Sequence, residues 1–336
     1  MILLVSPAAA DSTTGNGVTA RRWAGFLREL GHQVELSREY RGGGYDALLA
    51  LHARKSADAI RAFRASHPGT PVVLALTGTD LYPDLATAGV DPEVLAMADR
   101  LVLLQPRGLD QLDPATRERA RVIVQSVPPI ERKPPRAGCF EVAFLAHLRP
   151  VKDPLRPAEA VRELPAGSRI RVTHLGAAQD AELGAAAAAE SAANPHYDWL
   201  GPRPRKEALD LLARSRLLVL TSRHEGGANV ISEALAARLP IVCSAIPGSV
   251  GLLGEDYPGY FPVGDGGALA RALYDAEQDT GGYYGALREH CASLAGLVDP
   301  ERERRAWAGL LAELALPASG FADLFKTSPA ALTPGS

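Results

Sequence analysis

The chain has 336 residues, which is enough for two domains that each bury a core of their own. Apolar residues make up 46% of the sequence and charged residues 22%, as is typical of globular proteins. A formal net charge of −3 argues against nucleic-acid binding, which requires a basic excess, and no apolar run reaches the length of about 20 residues that spans a membrane.

Strand and helix patterns alternate along the first half, which predicts a parallel sheet with helices on both faces. The first predicted strand is Ile2–Ser6, and the amphipathic helix after it places Trp23 and Phe26 on its apolar side and ends at Gly31. No basic region precedes the first apolar run, so we expect no signal peptide. Further strands are predicted at Val34–Leu36, Ala47–Leu51, Val72–Leu76, Leu101–Leu104 and Val122–Val124.

A proline-rich segment, Val127–Pro135, predicts a linker between two domains. The same alternation continues after it, with strands predicted at Phe140–Leu145, Arg171–His174, Asp198–Leu200, Leu217–Leu220 and Ile241–Cys243. We therefore predict one domain at residues 1–130, a second at 138–300, a final helix at 301–317 and a tail at 318–336.

The three cysteines, Cys139, Cys243 and Cys291, are odd in number and far apart. This pattern favours reduced thiols and a cytoplasmic protein over a disulfide framework. The sequence contains no Cys-x-x-Cys or His-x-x-x-His pair of the kind that binds zinc. We therefore expect neither a metal nor another cofactor.

The nine residues Glu225 to Glu233 read Glu-Gly-Gly-Ala-Asn-Val-Ile-Ser-Glu and stand between the predicted strand Leu217–Leu220 and a helical pattern. A helix therefore begins inside the motif, and its free N–H groups and positive dipole end favour a bound phosphate. The two carboxylates, about two helical turns apart, add acceptors for sugar hydroxyls. The pattern thus favours a diphosphate with a sugar at each end, and a solvated helix start with a capping carboxylate is the structural alternative.

The segment Gly15–Ala20 matches the G-x-G-x-x-A fingerprint of dinucleotide-binding proteins. Two features disfavour dinucleotide binding. Pro7–Thr14 separates the first glycine from the first strand, whereas the fingerprint follows the strand directly, and Glu35 lies within the second strand and not at its end, where the acidic residue is required. We interpret the segment as a loop that binds the diphosphate or the transferred sugar, where a glycine admits close approach. A surface loop with Thr19 as helix N-cap is the alternative. The candidate binding residues are Gly15, Asn16, Gly17 and Thr19.

Polar clusters follow several predicted strands, at the edge where open α/β sheets bind ligands. Arg149 and Lys152 are three residues apart and can both face one anion, which predicts that they neutralise charge on a leaving nucleotide. His52 is a candidate general base or hydrogen-bond partner of a substrate oxygen. Arg54 and Lys55 are suited to attract an anionic acceptor. Further candidates for substrate contacts are Thr79, Asp80, His147 and Arg223.

The Glu225–Glu233 motif resembles the E-x7-E signature of retaining nucleotide-sugar glycosyltransferases of the family-4 kind. This resemblance implies an α/β protein of the GT-B fold, with two Rossmann-like domains facing across a cleft and a C-terminal helix that crosses back to the first domain. It implies that Glu225 binds the donor sugar, Glu233 the ribose, and Arg149 and Lys152 the diphosphate. Sugar and phosphate contacts are implied for Gly226, Gly227, Ala228, Asn229 and Val230.

From Ile2 to Leu314 the chain resembles one branch of that family, the selenosugar synthases of the selenoneine pathway. The segments that carry this resemblance are Gly15–Ala20, Leu51–Ser56, Thr77–Leu81, His147–Pro150, Arg223–Asn229 and Asp256–Pro262.

The resemblance to this branch implies that a UDP-sugar, such as UDP-N-acetylglucosamine, reacts with selenophosphate to give a 1-selenosugar, UDP and phosphate. It also implies a functional partnership with a selenophosphate synthetase and a hercynine-modifying enzyme. A family-4 transferase with a hydroxyl or thiol acceptor, and a non-catalytic sensor that keeps only the donor site, are the alternatives.

Overall fold

The computed structural model describes residues 1–9 and 14–316 and contains two parallel six-stranded sheets. The strands of the first sheet are β1 Ile2–Val5, β2 Val34–Ser37, β3 Ala47–Leu51, β4 Val72–Leu76, β5 Arg100–Leu103 and β6 Ala120–Val122. Between them lie α1 Gly15–Glu29, α2 Ala57–Ser66, α3 Pro92–Ala96 and α4 Pro114–Glu118. Every residue of β1, β3 and β4 is buried, as expected for aliphatic strands covered on both faces.

The second sheet contains β7 Phe140–Leu145, β8 Ile170–Leu175, β9 Tyr197–Trp199, β10 Leu217–Leu220, β11 Ile241–Ser244 and β12 Tyr260–Phe261. Its helices are α5 Arg156–Arg162, α6 Ala181–Ala193, α7 Arg205–Arg214, α8 Asn229–Ala236, α9 Pro247–Leu253, α10 Gly266–Gln278 and α11 Tyr283–Ser293. A last helix, α12 Pro300–Glu313, follows. This helix lies where the final helix was predicted, but it begins one residue earlier and ends four residues earlier. The predicted tail at 318–336 lies outside the described residues.

The two sheets differ in strand order. The second runs β12-β11-β10-β7-β8-β9, the order of the dinucleotide-binding fold, and the chain changes direction between the neighbours β7 and β10. The first runs β2-β1-β3-β4-β5-β6, which is the flavodoxin-like order at its β1 end. In open α/β sheets ligands bind where the order reverses, so the loops that follow β7 and β10 flank the expected crevice of the second sheet.

The contacts within the chain define two compact units. The first unit comprises residues 1–75, 91–101 and the described residues from Arg304 onward, and the second comprises 76–90 and 102–303. In the first unit α12 packs on α1 through Trp23 and Trp307, whose ring centroids are 4.8 Å apart. The predicted linker is fixed to the second unit, since Ile130 N–H donates to Ala236 O at 3.2 Å. The domain limits predicted at residues 130 and 138 stay a prediction.

Candidate functional site

The loops after β7 and β10 bring two predicted catalytic residues together. Lys152 Nζ forms an ion pair with Glu225 Oε1, and the same oxygen accepts a hydrogen bond from Ser222 Oγ at 2.6 Å. The side chains of Lys152 and Glu225 are only 24% and 13% exposed. The crevice of the second sheet therefore contains an ammonium and a carboxylate that are mostly shielded from water, a setting in which charges interact strongly.

Hydrogen bonds between the same two loops fix the position of this ion pair. Arg223 N–H donates to Val151 O at 2.8 Å, and Thr221 Oγ1 lies 2.9 Å from Lys152 O and 3.0 Å from Asp153 O. Thr221 and Ser222 were not among the sequence-predicted residues. The available signal was two hydroxyl residues at the end of a buried strand, just before the predicted carboxylate.

The glycine turn after Glu225 packs without room for side chains. A Cβ at Gly226 would lie 2.5 Å from the carbonyl carbon of Thr77, and one at Gly227 would lie 2.5 Å from Leu104 Cβ. Helix α8 then begins at Asn229, which confirms the prediction that a helix starts inside the motif. Its N-cap residue is Ala228, which has no side-chain acceptor, so the positive helix end is suited to an anion.

The second glutamate of the motif, Glu233, lies in α8 and is buried, with its side chain 8% exposed. Arg205 Nη1 of α7 lies 2.6 Å from Glu233 Oε1. Arg205 was not predicted from the sequence, because nothing local to it indicates a partner 28 residues further along the chain.

His147 is held in a neutral form at the start of the β7 loop. Ala177 N–H donates to His147 Nδ1 at 3.1 Å, so the ring proton is on Nε2. Burial, followed by the charges of Lys152 and Arg149, lowers the pKa of His147. The imidazole therefore offers an N–H donor beside two cations and adds no positive charge at neutral pH.

A second histidine supports the same loop from within the core. His174 Nε2 donates to Ala146 O at 2.8 Å, and its Nδ1 accepts from Tyr197 OH at 2.6 Å. Burial lowers the pKa of His174 to about 4, so it is neutral at physiological pH. A Cβ at Gly176 would lie 1.7 Å from Ala146 O, so the backbone approach at this point requires glycine.

Comparison with known proteins finds a family match within the chain. Residues 130–294 match the family described as glycosyl transferases group 1. No curated protein sequence matches the chain.

Solved structures share the fold over most of the chain. HepE from Anabaena, in complex with UDP, is 16% identical, with a TM-score of 0.73 over 93% of this chain and 99% of that one. Sucrose-phosphate synthase from Thermosynechococcus elongatus is 14% identical, with a TM-score of 0.76 over 94% and 98%. A glycosyltransferase from Rickettsia africae is also 14% identical, with a TM-score of 0.75 over 94% and 98%. These similarities confirm the predicted GT-B fold class.

The cationic pair, Arg149 and Lys152, lies between β7 and α5, on a turn that precedes the helix. One turn of 3₁₀ helix, Pro150–Lys152, follows Arg149, and α5 begins only at Arg156. Arg149 is half-buried and precedes this turn, and Lys152 ends it. The short turn explains how Lys152 reaches back to the β10 loop.

Arg223 and Asp80, two predicted substrate contacts of the second unit, contact other protein groups. Arg223 lies 3.6 Å from Asp153 Oδ2, and with His224 it lines a cavity of about 460 Å³. Asp80 is fully buried and accepts hydrogen bonds from the N–H groups of Thr77 and Gly78 at 3.0 and 2.8 Å. Thr79 lies in the same turn and is half-buried. Their roles in substrate binding stay predictions.

In the first unit, the interpretation of Gly15–Ala20 as a loop is wrong. Helix α1 begins at Gly15, with Thr14 as its N-cap instead of Thr19. Gly15, Asn16 and Gly17 form the first turn, whose amides lack intrahelical acceptors, so an anion contact there stays a prediction. Gly17 and Thr19 are both buried.

The predicted residues after β3 also lie in the first unit. His52 is 2% exposed and has a left-handed backbone with φ of 73°, a conformation uncommon outside glycine. Its Nδ1 accepts from Lys55 N–H at 3.4 Å. The side chains of Arg54 and Lys55 are exposed. The roles predicted for these three residues stay predictions.

Two classes of feature are absent from residues 1–9 and 14–316. No group of three or more His, Cys, Asp or Glu side chains is arranged there to hold a metal ion. Nor does this part of the chain contain a helix whose length and apolar character suffice to cross a membrane.

Proposed function

We propose that the chain is a glycosyltransferase that takes its sugar from a UDP-sugar. The observation that carries the proposal is the Lys152–Glu225 pair in the crevice of the second sheet, directly before a glycine turn and a helix without a side-chain cap. This arrangement offers a cation and amide dipoles to a diphosphate, and a carboxylate to sugar hydroxyls. HepE, which shares the fold, has structures in complex with UDP and with UDP and glucose.

Each residue of the site has a defined role in this proposal. Glu225 binds hydroxyls of the donor sugar, Glu233 binds the ribose, and the first turn of α8 binds the diphosphate. Arg149 and Lys152 neutralise the charge that develops on UDP as the bond from the anomeric carbon to the phosphate oxygen breaks. Lys152 is already held by Glu225, so little reorganisation is needed when the donor binds.

For the acceptor we propose selenophosphate, on the basis of the resemblance to selenosugar synthases. Selenium attacks the anomeric carbon, the bond to UDP breaks, and water then cleaves the selenium–phosphorus bond to release phosphate. The selenium nucleophile is already ionised, so it needs little help from a general base. The exposed cations Arg54 and Lys55 suit an anionic acceptor. A selenophosphate synthetase would supply this substrate, and a hercynine-modifying enzyme would consume the selenosugar.

The donor site is tested with UDP binding and UDP release. Glu225→Ala and Arg149→Ala should each lower turnover at least about tenfold, or ~1.4 kcal/mol of barrier. Lys206→Ala is the matched control, because its side chain is 85% exposed and pairs only with Asp210 among the described ion pairs. Wild-type rates in both site variants would remove these residues from the site.

The acceptor is tested separately, by mass spectrometry after incubation with selenophosphate and a series of UDP-sugars. A selenium-bearing sugar together with UDP is the expected result. If UDP is released only with hydroxyl or thiol acceptors, the donor proposal stands and selenophosphate is wrong. Tight UDP binding without release above the no-enzyme control would instead favour a sensor.

A further inference from the structure

The salt bridge between Arg205 and Glu233 joins two helices at one edge of the second sheet. Arg205 is the first residue of α7, which follows β9, and Glu233 lies in the middle of α8. The bond between Nη1 and Oε1 is 2.6 Å long. The side chain of Arg205 is 44% exposed and that of Glu233 only 8%, so the cation reaches from the surface to a buried carboxylate.

The position of Arg205 is unfavourable for the helix that carries it. The N-terminal end of a helix bears a partial positive charge, and cations in the first turn destabilise it. Arg205 and Lys206 both occupy the first turn of α7. The Glu233 carboxylate offsets this cost for Arg205, and the arginine in turn offsets the cost of burying a carboxylate. The sequence thus places a cation where the local stability of the helix disfavours it, within bonding distance of a buried carboxylate.

The salt bridge with Arg205 determines how the Glu233 carboxylate is oriented, and so which hydrogen bonds it can accept. A charge-assisted bond from the guanidinium holds one carboxylate oxygen in place and so restricts rotation of the group. A buried carboxylate held in this way can accept bonds from two neighbouring hydroxyls with little loss of side-chain entropy. A carboxylate without such a partner rotates, or moves towards water.

We propose that Arg205 is a positioning residue that gives the site its preference for ribonucleotides over 2′-deoxyribonucleotides. Arg205 orients Glu233 so that the carboxylate accepts bonds from both the 2′- and the 3′-hydroxyl of the ribose. This inference rests on the proposed function, in which Glu233 binds the ribose of the donor. Arg205 itself acts through Glu233 and does not take part in the transfer.

The test compares the dissociation constants of UDP and 2′-deoxy-UDP, measured by calorimetry, for wild type, Arg205→Gln and Arg205→Lys. Wild type should prefer UDP by about tenfold or more, since a site built to bond a hydroxyl rejects the analogue that lacks it. Arg205→Gln should weaken binding of UDP about tenfold and of deoxy-UDP less than about threefold, so that the preference falls about threefold or more. Arg205→Lys keeps the charge without the planar fork and should restore part of the preference.

Arg203→Gln is the matched control, because Arg203 lies in the same segment, has the same 44% exposure and lies 4.0 Å from Glu207 instead of Glu233. It should retain both affinities. Glu233→Gln should reproduce the loss of preference, and combining it with Arg205→Gln should add little, because the two act as one unit. Thermal unfolding of each variant separates a loss of preference from a loss of fold. If Arg205→Gln does not fold, the ratio of the dissociation constants of UDP and 2′-deoxy-UDP for Arg205→Lys tests the inference.

An unchanged preference in a folded Arg205 variant overturns the inference and leaves the proposed function in place. Tighter UDP binding in Arg205→Gln also overturns it, because Arg205 would then compete with the ribose for Glu233. Failure of wild type to bind UDP at all overturns both the inference and the proposed function.

Discussion

Replacing Lys152 by Met removes the cation from a carboxylate that is 13% exposed. Removal of one partner costs about 3–5 kcal/mol in a buried pair and about 0–1 kcal/mol in an exposed one. The Lys152–Glu225 pair is closer to the buried limit, but Ser222 still donates to the carboxylate. We therefore expect the free energy of unfolding to fall by about 2 kcal/mol, with a Tm about 4–8 °C lower.

Thermal unfolding followed by circular dichroism measures this change, and UDP release measures activity in the same preparations. Lys206→Met is the control, since its pair with Asp210 is exposed and should contribute less than about 0.5 kcal/mol. The double variant Lys152→Met with Glu225→Gln should regain about half of the lost stability, because no unpaired charge remains. It should nevertheless stay inactive, so stability and activity are separated.

The reasoning is refuted if Lys152→Met unfolds at the wild-type temperature. It is also refuted if the double variant is less stable than Lys152→Met alone. Either result would mean that the ion pair is solvated in solution and that its partial burial does not determine its strength.

Three further predictions follow from the packing of the second unit. Gly226→Ala should abolish most transfer activity, because the new Cβ would lie 2.5 Å from a backbone carbon, and full activity would contradict this. Gly285→Ala is the control: its Cβ meets open space, so stability should be unchanged or raised by up to about 1 kcal/mol. Because the pKa of His174 is about 4 when folded and about 6.5 when unfolded, the unfolded state binds more protons between these values. Stability should therefore fall by up to about 3 kcal/mol as pH drops through this window, and urea unfolding of His174→Gln should show a flatter pH profile. Arg214→Gln should lower the free energy of unfolding, measured with urea, by about 3 kcal/mol, since it removes the bidentate partner of the fully buried Glu141. A decrease below about 1 kcal/mol would show that other groups satisfy this carboxylate.

Local patterns predicted the strands of both sheets well where aliphatic runs end at turn residues. The limits of β3, β4, β7 and β10 agree with the sequence to the residue. Parallel strands covered on both faces are continuous apolar runs, so their ends are visible in the sequence. The strand β12 was missed because two residues, Tyr260 and Phe261, are too few to form a pattern.

The start of α1 shows where local reasoning fails. Gly15, Asn16 and Gly17 all have low helix propensity, so the sequence indicates a loop there. In the structure they form the first helical turn, and Gly17 is buried. Tertiary packing commonly overrides a preference that amounts to about 1 kcal/mol per residue.

The sequence by itself determined where most strands lie along the chain and that a helix begins within Glu225–Glu233. It also determined which kinds of charged residue occur close to that helix in the sequence. Only the tertiary structure decided which of these groups meet. Lys152 and Glu225 are 73 residues apart, and Arg205 and Glu233 are 28 apart. The order of the strands in the sheet decides which loops lie next to each other, and burial decides how strong the resulting ion pairs are. Neither is encoded in any local pattern of residues.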